Sequence, residues 1–161
     1  MVKKSLKSKI DKHKIISFDL YDTLILRNVE NPSDVFSLVE ILFNKRYKNN
    51  TISDFKNKRI KAYKDAYECF GSQCTIDRIY EKIERVSETD KLRLKTIEIE
   101  LEISVCCVNK NMIAAFEYAL KQHKRVFIIS DMYLSSDTIK EMLKKCGIQG
   151  YEKLYISSEC G

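Results

Sequence analysis

A chain of 161 residues, 44% of them hydrophobic, is long enough for one ordinary globular domain or for a small core that carries a helical insertion. The formal net charge of +6 comes without a helix-turn-helix or RNA-recognition signature, which argues against a nucleic-acid partner. No apolar run approaches membrane-spanning length, and the basic N-terminus is not followed by the apolar segment of a signal peptide. We therefore expect a cytoplasmic protein with no membrane partner. None of its six cysteines are spaced as C-x-x-C, so we expect no zinc site and reduced thiols.

Residues 1–14 are predicted to form a flexible basic lead-in. A solvated tail is one interpretation of its lysine run, and a patch that attracts anionic or phosphorylated partners is the other. The run consists of Lys3, Lys4, Lys7, Lys9, Lys12 and Lys14.

Three short apolar runs rich in β-branched residues predict buried strands, at residues 15–18, 126–129 and 154–157. The first run is followed directly by Asp19, and the second by Ser130 and Asp131. The stretch between these two runs is mainly helical in pattern.

The helical stretch begins where Asn31 suits an N-cap and Pro32 the first helical position. A second helix is predicted to start near Ser53, and Thr75 is predicted to cap a third. Residues 97–103 alternate with period two, which favours a strand, but they lie among good helix formers. We predict a helix there.

Two further helices have clear boundary signals. Asn109 suits the N-cap of one helix, and Ser135 or Ser136 begins the other. Gly147 suits the position just after the end of that last helix.

Apolar strands joined through helices predict a parallel sheet and an α/β fold. A long helical insertion after the first strand would form a cap over the carboxyl ends of the strands, where open α/β sheets bind ligands. We therefore predict a core formed by residues 15–30 and 122–161, with a helical cap at 31–121.

Asp19 is the first candidate for chemistry, because it leaves a buried strand at the sheet edge where free backbone N–H groups can hold an anion. A carboxylate there can attack phosphorus or carbon, or hold Mg²⁺, which prefers oxygen ligands. The alternative is an ordinary strand end followed by an Asx-type turn. At the second strand end, Ser130 could donate to a phosphoryl oxygen, or it could be a loop serine.

Taken together, the two segments are specific. Ile-Ser-Phe-Asp-Leu-Tyr-Asp-Thr-Leu-Ile, around Asp19, resembles the first motif of the haloacid dehalogenase-like (HAD) superfamily, an aspartate followed four residues later by threonine. Ile-Ile-Ser-Asp-Met-Tyr-Leu-Ser, around Ser130, resembles the second motif. The wording of both is most similar to that of HAD domains found beside bacterial surface-polysaccharide glycosyltransferases.

The resemblance implies a three-layer, Rossmann-like core and a Mg²⁺-dependent hydrolase acting on a small phosphorylated substrate. Asp19 would be the nucleophile and a Mg²⁺ ligand, and the backbone carbonyl of Tyr21 would be the second ligand from the chain. Phosphoryl oxygens would be bound by Leu20, Thr23, Ser130 and Asp131.

The first departure from the family pattern is Tyr21, which stands where family phosphatases carry a second aspartate as general acid. A tyrosine there resembles the true dehalogenases, which displace halide and need no proton donor. With an ordinary pKa of about 10, a tyrosine is a weak acid catalyst. The neighbouring Asp22 could take that role only if the loop turned unusually.

The second departure is that the lysine of the third motif and the acidic fourth motif are missing. Lys153 precedes the third strand and would lie at the wrong end of the sheet. Without the strand that carries the fourth motif, residues 15–18 would form an exposed apolar edge. The resemblance therefore implies a truncated core, one completed by another chain or prone to self-association.

Three functions stay open: a phosphatase acting through an aspartyl-phosphate, a catalytically inactive or split remnant that binds or assembles, and a 2-haloacid-type dehalogenase. Other polar and aromatic residues also have two interpretations. The carboxylates at 98, 100 and 102 could bind a metal or form a solvated or ion-paired helix face, and the latter is favoured. Arg27 could contact a substrate anion or lie on the surface. Tyrosines 63, 67 and 80 could line a substrate pocket, but ordinary helix packing is favoured.

Overall fold

The computed structural model describes Val2 and residues 4–160, which form a mixed α/β fold. In chain order the elements are α1 (Lys4–Asp11), β1 (Ile15–Asp19), β2 (Ile25–Arg27), α2 (Asp34–Arg46), α3 (Phe55–Phe70), a 3₁₀ turn (Gly71–Gln73), α4 (Ile76–Glu81), α5 (Glu88–Val105), β3 (Cys106–Val108), α6 (Lys110–Lys121), β4 (Arg125–Ser130), α7 (Ser136–Lys145), β5 (Lys153–Ile156) and α8 (Ser157–Cys160).

The three predicted strands form one parallel sheet in the order β1-β4-β5, as the sequence predicted. Asp19 lies opposite Ile129 in β4, and Ser130 lies opposite Ile156 in β5. The carboxyl ends of all three strands therefore meet at one edge of the sheet. Lys153 begins β5, so it lies at the other edge.

The two faces of the sheet differ in how they are covered. Phe18 of β1 packs edge-on against Phe116 of α6, with ring centroids 5.5 Å apart, and Ile128 beside it is fully buried. On the opposite face Ile15, Ile129 and Tyr155 are exposed. Among the residues that the structure describes, no strand pairs with the outer edge of β1.

Helix α1 corrects the prediction of a flexible lead-in. Ile10 is buried, and the Tyr118 hydroxyl of α6 donates to the Asp11 carboxylate at 2.8 Å. Leu6 and Ile10, one helical turn apart, pack against the core, and this short apolar stripe is hidden among lysines in the sequence. Lys3 lies outside the described residues.

A two-stranded antiparallel ribbon, β2 paired with β3, was not predicted. Its strands have three residues each, too few for alternation to be visible in the sequence. Helices α2 to α5 lie between β2 and β3 in the chain.

Most of the predicted helix boundaries are confirmed. The side chains of Thr75, Asn109 and Ser135 accept hydrogen bonds from the first turns of α4, α6 and α7. Helix α2 starts at Asp34 instead of following Asn31 directly, because the Asp34 carboxylate accepts from the Asn31 backbone N–H and closes a preceding turn. Helix α3 likewise begins two residues later than its predicted start.

The ambiguous segment at 97–103 is helical, as predicted, and lies within α5. Its alternation does not indicate a strand, because every second position there is a glutamate and two of the three, Glu98 and Glu102, are buried by ion pairing. Because glutamates take buried positions, the apolar residues of this helix segment do not show the 3.6-residue spacing that usually marks a buried helix face.

Helix α6 packs on β4 and α1, although the predicted cap extends to residue 121. The division of the chain into core and cap stays a prediction.

Within the described part of the chain, no helix combines the length and the apolar character needed to cross a membrane. Cys106 and Cys146 are free thiols with their sulfur atoms 3.8 Å apart.

Candidate active site

A tight turn follows β1 and shapes the surroundings of Asp19. The backbone N–H groups of Leu24 and Ile25 both donate to the carbonyl of the buried Leu20, at 2.8 and 3.0 Å. The turn brings the Thr23 hydroxyl to 3.0 Å from one Asp19 carboxylate oxygen, to which it donates. Asp19 is exposed, and its other oxygen has no hydrogen bond from a described side chain.

Asp22 lies on the same turn with a φ of +55°, in the left-handed region that short polar residues such as aspartate tolerate. Its side chain is exposed. The structure therefore places Asp22 on an exposed turn three residues after Asp19, and its role as a proton donor stays a prediction.

The contacts of the Tyr21 side chain argue against a role as general acid. Its hydroxyl donates to the Met142 sulfur of α7 at 3.3 Å, and the Arg27 guanidinium lies 4.0 Å from its ring centroid. Burial, and then the Glu102 carboxylate, raise the Tyr21 pKa far above its ordinary value. A phenol with such a raised pKa is an even weaker acid, which argues against Tyr21 as the general acid.

The Tyr21 backbone carbonyl is a separate case. It accepts no turn hydrogen bond in the described part of the chain, whereas the Leu20 carbonyl accepts two. Tyr21 also forms an isolated parallel bridge with Ile25, and the role of its carbonyl as a Mg²⁺ ligand stays a prediction.

Ser130 ends β4 beside β1, which puts the two candidate strand ends on neighbouring strands as predicted. It is buried, and its hydroxyl oxygen accepts from the Met132 backbone N–H at 3.3 Å. That contact leaves the hydroxyl proton free to donate, although a structural strand-end serine would make the same contact. The adjacent Asp131 is exposed.

Two buried ion pairs lie behind these loops. Arg27 of β2 contacts both carboxylate oxygens of Glu102, at 2.9 and 3.4 Å. Arg59 of α3 contacts both oxygens of Glu98, at 2.9 and 2.7 Å, and Glu98 also accepts from the Tyr80 hydroxyl at 2.8 Å. Both glutamates therefore serve as ion-pair partners.

These pairs bear on two interpretations made from sequence. Glu98 and Glu102 lie one turn apart on α5 and form the favoured ion-paired face, which is buried, while Glu100 pairs with Arg46 at the surface. Arg27 is neither a free anion contact nor a surface residue. The i, i+4 spacing of the two glutamates was the only signal in the sequence, because their arginine partners are distant along the chain.

The Arg59 guanidinium is enclosed by aromatic rings and is fully buried. It lies 4.7 Å from the ring centroid of Phe36 and 4.9 Å from that of Tyr133. Burial is the largest single effect and lowers the Arg59 pKa, but the charge and hydrogen bonds of Glu98, together with smaller effects of Tyr133 and Tyr80, raise that pKa overall. Tyr133 follows Ser130 by three residues, so this ion pair supports the second candidate loop.

The oxygen donors at the turn suit Mg²⁺ in kind, since magnesium commonly takes one or two carboxylates and completes its shell with water and phosphate oxygens. Asp19 and the Tyr21 carbonyl supply two such donors. Among residues 2 and 4–160, no group of three His, Cys, Asp or Glu side chains is arranged to hold a metal.

Comparison with known proteins gives a fold and no family assignment. No family model matches the sequence, and no curated protein matches it. Several solved structures do match its fold.

One of these structures is described as the HAD-hydrolase YfnB from Bacillus subtilis, bound to magnesium. Its TM-score is 0.57 at 14% identity, over 89% of this chain and 65% of that protein. Another is described as a β-phosphoglucomutase from Thermotoga maritima, with a TM-score of 0.58 at 9% identity over 91% of this chain and 62% of that one.

A third is CbbY from Rhodobacter sphaeroides in complex with phosphate, with a TM-score of 0.51 at 10% identity. It is matched over 92% of this chain and 65% of its own. This chain therefore spans less than two thirds of the length of these three structures. At such low identity the likeness shows that the fold is shared.

Proposed function

We propose that this chain is a HAD-like hydrolase, a Mg²⁺-dependent phosphatase of a small phosphorylated metabolite or sugar. The observation that carries the proposal is the Asp19 carboxylate at the end of a parallel strand, with one oxygen bonded to Thr23. The neighbouring strand ends in a serine hydroxyl. The shared fold of the structures described as a HAD-hydrolase and a β-phosphoglucomutase supports the assignment.

In this proposal the Thr23 hydrogen bond orients the carboxylate so that its other oxygen attacks phosphorus. The P–O bond to the leaving group breaks, and an aspartyl-phosphate forms on Asp19. Water then attacks the phosphorus, which releases inorganic phosphate and restores the carboxylate.

The remaining roles follow from position. Ser130 would donate to a phosphoryl oxygen. The one hydroxyl proton of Thr23 is donated to Asp19, so Thr23, Leu20 and Asp131 would border the phosphoryl group. Mg²⁺, held by Asp19 and the Tyr21 carbonyl, would offset the charge on the phosphoryl oxygens. The leaving group would take its proton from Asp22 or from solvent, because the Tyr21 hydroxyl is engaged with Met142.

The test is Mg²⁺-dependent hydrolysis of an aryl phosphate by the folded chain and by Asp19→Asn. Asp77→Asn, at an exposed aspartate of α4, is the matched control. We expect activity in the wild type and the control and its loss in Asp19→Asn. Full activity in Asp19→Asn would rule out the proposed nucleophile.

A second candidate is an inactive or split remnant that functions by binding. The open edge of β1 and the exposed apolar face beside it favour this function. Under this alternative, Mg²⁺ with a phosphate analogue leaves the melting temperature of the chain unchanged, and a completing chain raises it. A ligand-dependent rise would favour the phosphatase.

A 2-haloacid-type dehalogenase is a third candidate, motivated by Tyr21. Its hydroxyl is bonded to Met142 and its pKa is raised, which suits a reaction that needs no general acid. Halide release from a 2-haloacid, absent in Asp19→Asn, would distinguish this activity from phosphate release.

A further inference from the structure

We propose that Tyr63, Tyr67 and Tyr133, called here the tyrosine platform, form a subsite that stacks against the sugar ring of a sugar-phosphate substrate. The inference rests on the proposed function, because it places the phosphoryl group of that substrate at Asp19.

Two tyrosines of the platform are exposed, contrary to the packing role that the sequence favoured. The exposed fraction is 38% for Tyr63 and 52% for Tyr67, whereas Tyr80 is 4% exposed and bonded to Glu98. Tyr80 therefore has the expected packing role, and Tyr63 packs in part, against Tyr67 and Tyr133. The exposed faces of Tyr63 and Tyr67 form one aromatic surface that a ligand could contact.

The rings are arranged as a continuous stepped surface. The Tyr63 and Tyr67 centroids are 5.9 Å apart with a 33° angle between the rings. Tyr63 and Tyr133 are also 5.9 Å apart, at 57°. The platform thus runs from the outer face of α3 to the loop that follows Ser130.

The platform lies at the carboxyl edge of the sheet. The Ile76 N–H, at the start of α4, donates to the Tyr133 carbonyl at 2.8 Å, and the 3₁₀ turn that ends α3 contacts α8, which follows β5. Asp131 belongs to the same loop as Tyr133, two residues before it and next to Ser130.

The platform is held in place before any ligand binds. The Arg59 guanidinium lies 4.9 Å from the Tyr133 ring centroid, and Glu98 fixes it with two hydrogen bonds. A preformed aromatic surface loses little conformational freedom on binding.

The chemistry of the surroundings favours a sugar over a flat base. The apolar face of a sugar ring can lie against a tyrosine ring, while phenol hydroxyls and the Asp131 carboxylate bond to its hydroxyl groups. The angles between the rings suit a puckered ligand better than a planar one. The tyrosine platform thus combines apolar contact with a few polar groups, as small-molecule sites commonly do.

The experiment compares three phosphate esters: glucose 6-phosphate, glycerol 3-phosphate as an acyclic control, and uridine monophosphate. The variants are Tyr67→Ala, Tyr63→Ala and the conservative Tyr67→Phe. Tyr155→Ala, which removes an exposed tyrosine of β5, is the matched control.

We expect Tyr67→Ala and Tyr63→Ala to raise KM for glucose 6-phosphate about tenfold, with kcat and the hydrolysis of glycerol 3-phosphate unchanged. Tyr67→Phe should retain most of the affinity, and Tyr155→Ala all of it. Equal losses on all three esters, or a loss on uridine monophosphate alone, would overturn the inference.

A binding measurement separates this inference from the proposed function. If the wild type hydrolyses nothing, titration calorimetry with glucose 6-phosphate still decides the matter. Saturable binding that is weakened in Tyr67→Ala would retain the subsite and reject the phosphatase, and no binding would reject the subsite. Hydrolysis that is indifferent to both tyrosines would retain the phosphatase and reject the subsite.

Discussion

At the scale of single residues, the turn after β1 separates two side chains that a sequence pattern treats as one motif. Asp19 is exposed and oriented by Thr23. Tyr21, two residues on, is committed to Met142 and Arg27. The Tyr21 side chain therefore packs against α7 and β2, while its backbone carbonyl stays the proposed second ligand of Mg²⁺.

Tyr21→Phe tests this division. Since the hydroxyl makes only a hydrogen bond to sulfur, we expect aryl phosphate hydrolysis and its pH profile to be unchanged, with a loss of stability within about 1 kcal/mol. Steady-state rates across pH and urea unfolding give the two values. If kcat instead falls strongly and the decline of the wild-type rate at high pH disappears in the variant, Tyr21 is an acid catalyst.

At the scale of elements, helix α5 connects the two candidate loops. Glu102 bonds to Arg27, which stacks on Tyr21, and Glu98 bonds to Arg59, which stacks on Tyr133. One turn of helix thereby supports both loops from behind.

Glu98→Gln should be strongly destabilising, because it leaves the fully buried Arg59 charge without its counterion. Losing one partner of a buried pair costs about 3–5 kcal/mol. Glu100→Gln is the control on the same helix: its pair with Arg46 is about half exposed, and we expect less than about 1 kcal/mol. Equal effects in denaturant unfolding would contradict the assigned role of the buried pair.

Whether a feature of the fold or site could be predicted from the sequence depends on how far apart along the chain its interacting residues lie. Strands, caps such as Thr75, and the meeting of Asp19 and Ser130 at one edge depend on local pattern and on the geometry of parallel sheets. The Arg59–Glu98 pair joins residues 39 positions apart, and no local pattern carries that information. Helix α1 was missed because its two apolar contacts are outnumbered by lysines.

At the scale of the whole molecule, one sheet face is covered by helices and the other exposes Ile15, Ile129 and Tyr155. An apolar face next to an unpaired strand edge favours association.

We therefore expect the isolated chain to associate with itself at rising concentration, and Ile129→Lys to weaken that association. Leu92→Lys, which changes an exposed leucine on α5, should leave it unaffected. Sedimentation velocity over a concentration series measures both. A monomer at every concentration in the wild type would show that this face does not drive association.

The most direct test of the central claim is to look for the phosphoryl group on Asp19. The chain is mixed with Mg²⁺ and an aryl phosphate, quenched in acid and treated with borohydride, which reduces an acyl phosphate to the alcohol. Peptide mass mapping then locates the change. The account predicts reduction at Asp19 and at no other carboxylate. Turnover with no reduced Asp19, or reduction at another carboxylate instead, would contradict the account.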